Sequence, residues 1–173
     1  MKFTEMFDMQ KKLDERIEVK HENSINFNDK IVATLVELSE FSNEVRWFKK
    51  WSNKSASPKE VILEEGVDIL HFLLSLGNDI AAKGNDEGVK LFDYTSCNCG
   101  DDLSNIYIYF VGEIIELFYK YNKFDSFVMN VQYYTVMSIY LHLMKSIGFN
   151  EKDIETAYYK KNEINHKRQD NNY

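Results

Sequence analysis

Two pairs of acidic side chains are the residues best suited to chemistry. Glu37-Leu38-Ser39-Glu40 and Glu65-Gly66-Val67-Asp68 each set two carboxylates three residues apart, a spacing that puts both on one face of a helix. Apolar neighbours surround both pairs, so helices carrying them would pack through those stripes and bring four acids into a partly buried space. Like charges held that close repel, and burial adds a desolvation penalty. Either some carboxyls keep their protons or a cation neutralises them. Oxygen donors without cysteine, with His71 one turn beyond Asp68, suit a hard ion such as Mg²⁺ or Mn²⁺ better than zinc. In a chain with 28 acidic residues, a solvated helix face explains any single such pair equally well. The pattern alone leaves both readings open.

The elements that must position these acids are helices. A chain of 173 residues suits one compact domain with a real core rather than two. Its apolar fraction of 44% and aromatic fraction of 14% argue against disorder, while one proline and seven glycines leave long stretches without breakers. The periodicity predicts an all-α bundle of about six helices. The first covers Met6 to Ile17 and is followed by a polar loop, Glu18 to Asn26. The second runs from Asp29 to Trp51, capped by Asn28, with Ile31, Leu35, Leu38, Phe41, Val45 and Phe48 on one face. Ser57-Pro58-Lys59-Glu60 combines a cap serine, a first-turn proline and a glutamate, and predicts the start of a third helix that stops at Lys83-Gly84. A loop over 85–101, with room for a short helical turn, separates it from helices at 102–121 and 124–147. Gly148 closes the latter, and Asn150-Glu151-Lys152-Asp153 opens a last helix from Ile154 to Arg168.

Charge and cysteine content narrow the function. A net charge of −7 disfavours a nonspecific nucleic-acid groove, which needs excess Lys and Arg. It leaves room for a small phosphorylated ligand, because metal ions supply positive charge. Cys97 and Cys99 are too close for an ordinary loop-closing disulfide and lack a second ligand pair for structural zinc, so free thiols in a cytoplasmic protein are expected. Neither a signal peptide nor a membrane span is expected from the apolar runs of the sequence.

Four local motifs together resemble the dimeric dUTPase branch of the all-α nucleotide pyrophosphatases. Glu37-x-x-Glu40 is followed by the aromatic and basic stretch Arg46-Trp47-Phe48-Lys49-Lys50-Trp51. Glu65-x-x-Asp68 runs into His71-Phe72-x-x-Ser75, similar to the D-x-x-H-F-x-x-S sequence of that branch. Met9-Gln10-x-x-Leu13-Asp14 looks like its opening motif, and Lys161-Asn162-x-x-Asn165-x-x-Arg168-Gln169-Asp170 like its C-terminal one. Residues 85–152 add little that is diagnostic. The family often continues with glycine, tyrosine and a mobile segment, where this sequence ends in Asn171-Asn172-Tyr173.

The resemblance implies Mg²⁺-dependent hydrolysis of dUTP, with some action on dUDP, to give dUMP. Glu37, Glu40, Glu65 and Asp68 would hold the metal ions, with Glu37 as general base and Glu40 beside it in the catalytic group. Gln10, His71 and Asn165 would line the uracil pocket, whose two carbonyls and one N–H amide side chains read well. Phe72 would stack on the sugar and crowd its 2′ position. Trp47 or Trp51 would border the base, and Lys161 and Arg168 would reach the phosphates.

Two other readings remain at this stage. One is the same fold acting on another nucleotide, such as dCTP; the other is a helical module that binds a regulatory protein without catalysis. The apolar stretches Tyr107 to Leu117 and Val131 to Leu143 hold more apolar surface than a monomer of this size readily covers, and a homodimer is expected.

Overall fold

The computed structural model describes residues 1–21, 25–123 and 126–170. Among the described residues there are seven helices and no strand: α1 (Phe3–His21), α2 (Phe27–Val45), α3 (Lys59–Gly84), α4 (Gly88–Leu91), α5 (Leu103–Lys123), α6 (Ser126–Ser146) and α7 (Glu151–Asp170). The all-α expectation holds, and the extra element is the short α4 inside the predicted loop.

α3 is the central element. Val67, Ile69, Leu70, Leu73, Leu74 and Leu76 are all fully buried, because α1, α2, α6 and α7 each pack on a different side of it. A helix apolar over most of its circumference is stable only when wrapped in this way. Buried tyrosines from α6 complete the packing and need partners for their hydroxyls. Tyr133 donates to the Leu73 carbonyl at 2.7 Å and Tyr140 to the Gly66 carbonyl at 3.0 Å.

α2 runs antiparallel to α3. Lys30 bonds Asp79 at 2.8 Å near one end, and Ser57, just before α3, bonds Glu44 near the other. This pairing sets Glu37 opposite the Glu65–Asp68 turn. α7 lies along α1, with Glu151 on the amino group of Met1 and Arg16 on Asp170 at the other end.

Several boundaries differ from the sequence reading for local reasons. α1 continues past Ile17 to His21 because Arg16 and Lys20 are anchored to α7, through Asp170 and the Gln169 carbonyl. Of the expected Glu18 to Asn26 loop, residues 22–24 lie outside the described residues. The α2 cap is Asn26 rather than Asn28: its side-chain oxygen accepts from the Asp29 N–H at 3.0 Å. α2 ends at Val45, six residues before Trp51. Arg46 adopts the left-handed conformation with φ 64°, and its guanidinium bonds the Lys54 carbonyl at 3.1 Å and Ser52 Oγ at 2.8 Å, holding a turn that leaves the helix.

Ser57 does not cap α3. Its hydroxyl is taken by Glu44, and Pro58 is the residue at the cap, its carbonyl accepting from the N–H groups of Val61 and Ile62. At α7 the expected start is met by a reciprocal cap: Asn150 Oδ1 accepts from the Asp153 N–H at 3.1 Å, and Asp153 Oδ2 from the Asn150 N–H at 3.0 Å. The expected start of the 124–147 helix at Phe124 and the tail Asn171 to Tyr173 lie outside the described residues.

The expectation of free thiols is corrected. Cys97 and Cys99 are joined in a disulfide. One intervening residue in a non-helical segment leaves their Cα atoms 5.8 Å apart, within ordinary disulfide reach. No helix among the described residues is long and apolar enough to cross a membrane.

Candidate active site

The antiparallel pairing of α2 with α3 brings Glu37, Glu65 and Asp68 together, with oxygen atoms from all three within 4.8 Å of one another. All three are partly buried, and the crowding is visible in their ionisation. Burial first, and then the charges of Asp68, Glu40 and Glu65, push the Glu37 carboxyl up to about 7. Burial and the charges of Asp68 and Glu40 raise Glu65. Glu40 is exposed and lies outside the three-oxygen group, and it acts on the site through its charge.

Asp68 is also raised by burial, but Lys161 of α7 opposes this. The Lys161 ammonium donates to Asp68 Oδ2 at 2.7 Å and to Glu64 Oε1 at 2.8 Å. Burial works against its charge, yet these two bonds hold it above the ordinary lysine range. The same contact lowers Glu64. An all-oxygen donor set whose members repel one another, with a side-chain cation already drawn to its edge, fits a hard divalent ion.

A cavity of about 280 Å³ runs from Glu37 and Asp68 along α3. α1 supplies Gln10 and Asp14, α3 supplies His71, Phe72 and Ser75, and α7 supplies Asn165 and Arg168. Arg168 Nη1 also bonds Asn165 Oδ1 at 3.3 Å. The volume is near the lower end of small-ligand cavities, roughly 300–1,000 Å³.

The floor of this cavity is a hydrogen-bonded chain. Ser75 Oγ donates to Asp14 Oδ2 at 2.6 Å, Gln10 Nε2 donates to Asp14 Oδ1 at 2.7 Å, and Gln10 Oε1 meets His71 Nδ1 at 2.6 Å. Tyr158 stacks on His71 with ring centroids 4.6 Å apart. Burial, helped by the Lys161 charge, depresses the imidazole to about 3, so His71 is neutral at physiological pH. Burial raises Asp14, against the two hydrogen bonds that favour its charge.

The structure therefore gathers Glu37, Glu65, Asp68, Gln10, His71, Phe72, Asn165 and Arg168 around one space, with Lys161 on its acidic edge. It does not bring the tryptophans there. Trp47 donates its indole N–H to Ser104 at 3.2 Å and faces a separate groove with Phe48 and Tyr107, and Trp51 is 78% exposed.

Asp14, Ser75, Lys30 and Glu64 were not expected in the site. A signal for the first two was present: Gln10 and Asp14, and likewise His71 and Ser75, are four residues apart, hence on one helix face. Nothing in the sequence pointed to Lys30 or Glu64.

An all-α scaffold with a carboxylate cluster beside a small cavity that mixes apolar walls with amide and imidazole groups is the arrangement an enzyme acting on a small metal-bound molecule needs. A family model described as dUTPase matches residues 2–173, and the chain belongs to that dimeric, all-α dUTPase family. Its activity is that of a dUTP diphosphatase. No curated protein matches the chain.

Proposed function

We propose that residues 1–173 form a single catalytic domain that hydrolyses dUTP to dUMP and diphosphate in the cytoplasm with Mg²⁺, or Mn²⁺ in its place, and acts on dUDP too. This limits uracil incorporation into DNA and supplies dUMP. The observation that carries the reading is the continuity of the site: three converging carboxylates at one end of a cavity whose other walls are amides, an imidazole and an aromatic ring.

In this reading Glu37, Glu65 and Asp68 hold the metal, with Glu40 as a fourth carboxylate one turn from Glu37. A bound divalent ion supplies charge neutralisation for the phosphate chain and acidifies a neighbouring water. Glu37 takes the proton of the attacking water as general base. Lys161 and Arg168 engage phosphate oxygens. Gln10, His71 and Asn165 read the uracil edge, and Phe72 packs against the deoxyribose where a 2′-hydroxyl would crowd it.

We also propose that the enzyme works as a homodimer. On α5, Ile108, Ile115 and Tyr119 are 68%, 41% and 54% exposed, at spacings that form one seam, and Gly112 between them has open space above it. The neighbouring α2 adds Val32 and Val36, 60% and 48% exposed. Exposed apolar side chains in this number on two packed helices suit a second copy of the same surface.

The deciding assay is diphosphate release from dUTP, dCTP, dTTP and UTP, and phosphate release from dUDP, with Mg²⁺ and with chelator. Turnover of dUTP that is strong, metal-dependent and well above that of UTP and dCTP is the expected result. Equal turnover of dCTP would reject the uracil pocket, and full activity in chelator would reject the metal site.

A further inference from the structure

The two ends of the hydrogen-bonded chain under the cavity differ in character. Asp14, as a carboxylate, accepts only. Both of its oxygens are engaged, one by Ser75 Oγ at 2.6 Å and one by Gln10 Nε2 at 2.7 Å. The Gln10 amide is thereby oriented with its NH₂ toward Asp14 and its carbonyl toward His71. Turning the amide over would set its oxygen against the carboxylate. The Tyr158 hydroxyl, whose single proton reaches either the Met6 carbonyl at 3.0 Å or the same Gln10 oxygen at 3.3 Å, suits this orientation when it donates to Gln10.

With a carbonyl oxygen 2.6 Å away, His71 Nδ1 must carry the ring proton. Nε2 is then a bare acceptor. It is buried, and it has no hydrogen-bond partner among the described residues, although His71 is 6% exposed and lines the cavity. A buried acceptor left unmatched is unfavourable unless a ligand donates to it.

We propose that Asp14 and Ser75 are positioning residues for base selectivity: through Gln10 they fix the Nδ1–H tautomer of His71, so that Nε2 accepts only from a base that carries an imide N–H. The inference rests on the uracil reading of the cavity. Uracil has that N–H at ring position 3, whereas cytosine has a lone pair there and would face His71 acceptor to acceptor. Thymine shares the imide, so this device separates dUTP from dCTP and leaves dUTP against dTTP to the shape of the pocket.

Long-range ¹H–¹⁵N correlation spectra of the full-length protein test it, since the chain has only four histidines. His71 should show the Nδ1–H pattern in the wild type. In Asp14→Ala the Gln10 amide is free to turn, and the signal should move toward the Nε2–H form. The dUTP to dCTP ratio of kcat/KM should fall by about tenfold or more, with the dUTP to dTTP ratio unchanged. Asp14→Asn should restore both, because its amide oxygen still accepts from Gln10 while Ser75 accepts from the new NH₂. Asp14→Leu, closer in volume, replaces the alanine variant if that fails to fold.

An unchanged tautomer and unchanged dUTP to dCTP ratio in Asp14→Ala would overturn the proposal while leaving the uracil reading intact. A wild-type enzyme with no preference for dUTP over dCTP would overturn the uracil reading and the selectivity role with it.

Discussion

The Lys161 ammonium stands 2.7 Å from Asp68 Oδ2, on the edge of the three-carboxylate cluster. α7 thus provides the acidic group on α3 with a resident cation, and Glu64 at 2.8 Å holds that cation from its other side. A divalent ion drawn to Asp68 must share or displace it.

That competition leads to a first expectation. Replacing Lys161→Met leaves Asp68 without its partner, and the metal-free protein should lose about 1–2 kcal/mol, given that Glu64 is well exposed. Calorimetric titration in the absence of nucleotide should show tighter Mg²⁺ binding than in the wild type. Unchanged affinity would mean that the lysine and the ion do not compete.

A second concerns pH. Glu37 has an ordinary value of 4.5 unfolded and about 7 folded, so the folded state holds its proton more firmly. The associated stability is fully present below about pH 4.5 and is lost as pH rises through about 7. Because the side chain is only half-buried, the loss should be on the order of 1–2 kcal/mol rather than the full value of the shift. Melts of the metal-free protein between pH 5 and 8 should show this decline, flattened in Glu37→Gln. Mg²⁺ competes with the same proton, so its affinity should increase over that range.

A third concerns two glycines on α3. A methyl group at Gly77 would sit 2.6 Å from both the Phe7 ring and the Tyr133 hydroxyl, whereas at Gly66 it would meet the flexible end of Met144 at 2.5 Å. Aromatic rings wedged between helices yield less readily than a thioether. Gly77→Ala should therefore destabilise by about 2–3 kcal/mol and Gly66→Ala by about half that, as read by urea denaturation.

A fourth addresses assembly. Ile108→Lys places a charge in the middle of the exposed α5 seam and should convert a dimer to a monomer by light scattering at micromolar concentration, with the melting temperature of the monomer little changed. If the wild type is itself monomeric under those conditions, the seam has another purpose.

Much of the scaffold was readable because helix signals are local. The α3 stripe, the reciprocal Asn150–Asp153 cap and the proline-free runs of α5 and α6 depend on local residue patterns. The errors arose where a distant group overrode a local signal. Ser57 has the form of a helix cap, but its hydroxyl goes to Glu44, thirteen residues back. The helical pattern through Phe48 and Trp51 is cut at Val45 because Arg46 finds carbonyl and hydroxyl acceptors in the following loop.

The site divides along the same line. Sequence by itself determined which side chains share a face: Glu37 with Glu40, Glu65 with Asp68, Gln10 with Asp14, His71 with Ser75. Helical periodicity makes those pairings a property of spacing alone. Only the tertiary structure decided which faces meet. The antiparallel run of α2 on α3 selected Glu37, Glu65 and Asp68 as the converging set and left Glu40 at the rim. The docking of α7 put Lys161 on Asp68, and the packing of α1 joined Asp14 and Gln10 to Ser75 and His71. Such contacts link residues tens to a hundred positions apart, and packing of whole apolar faces sets them, which no local spacing encodes.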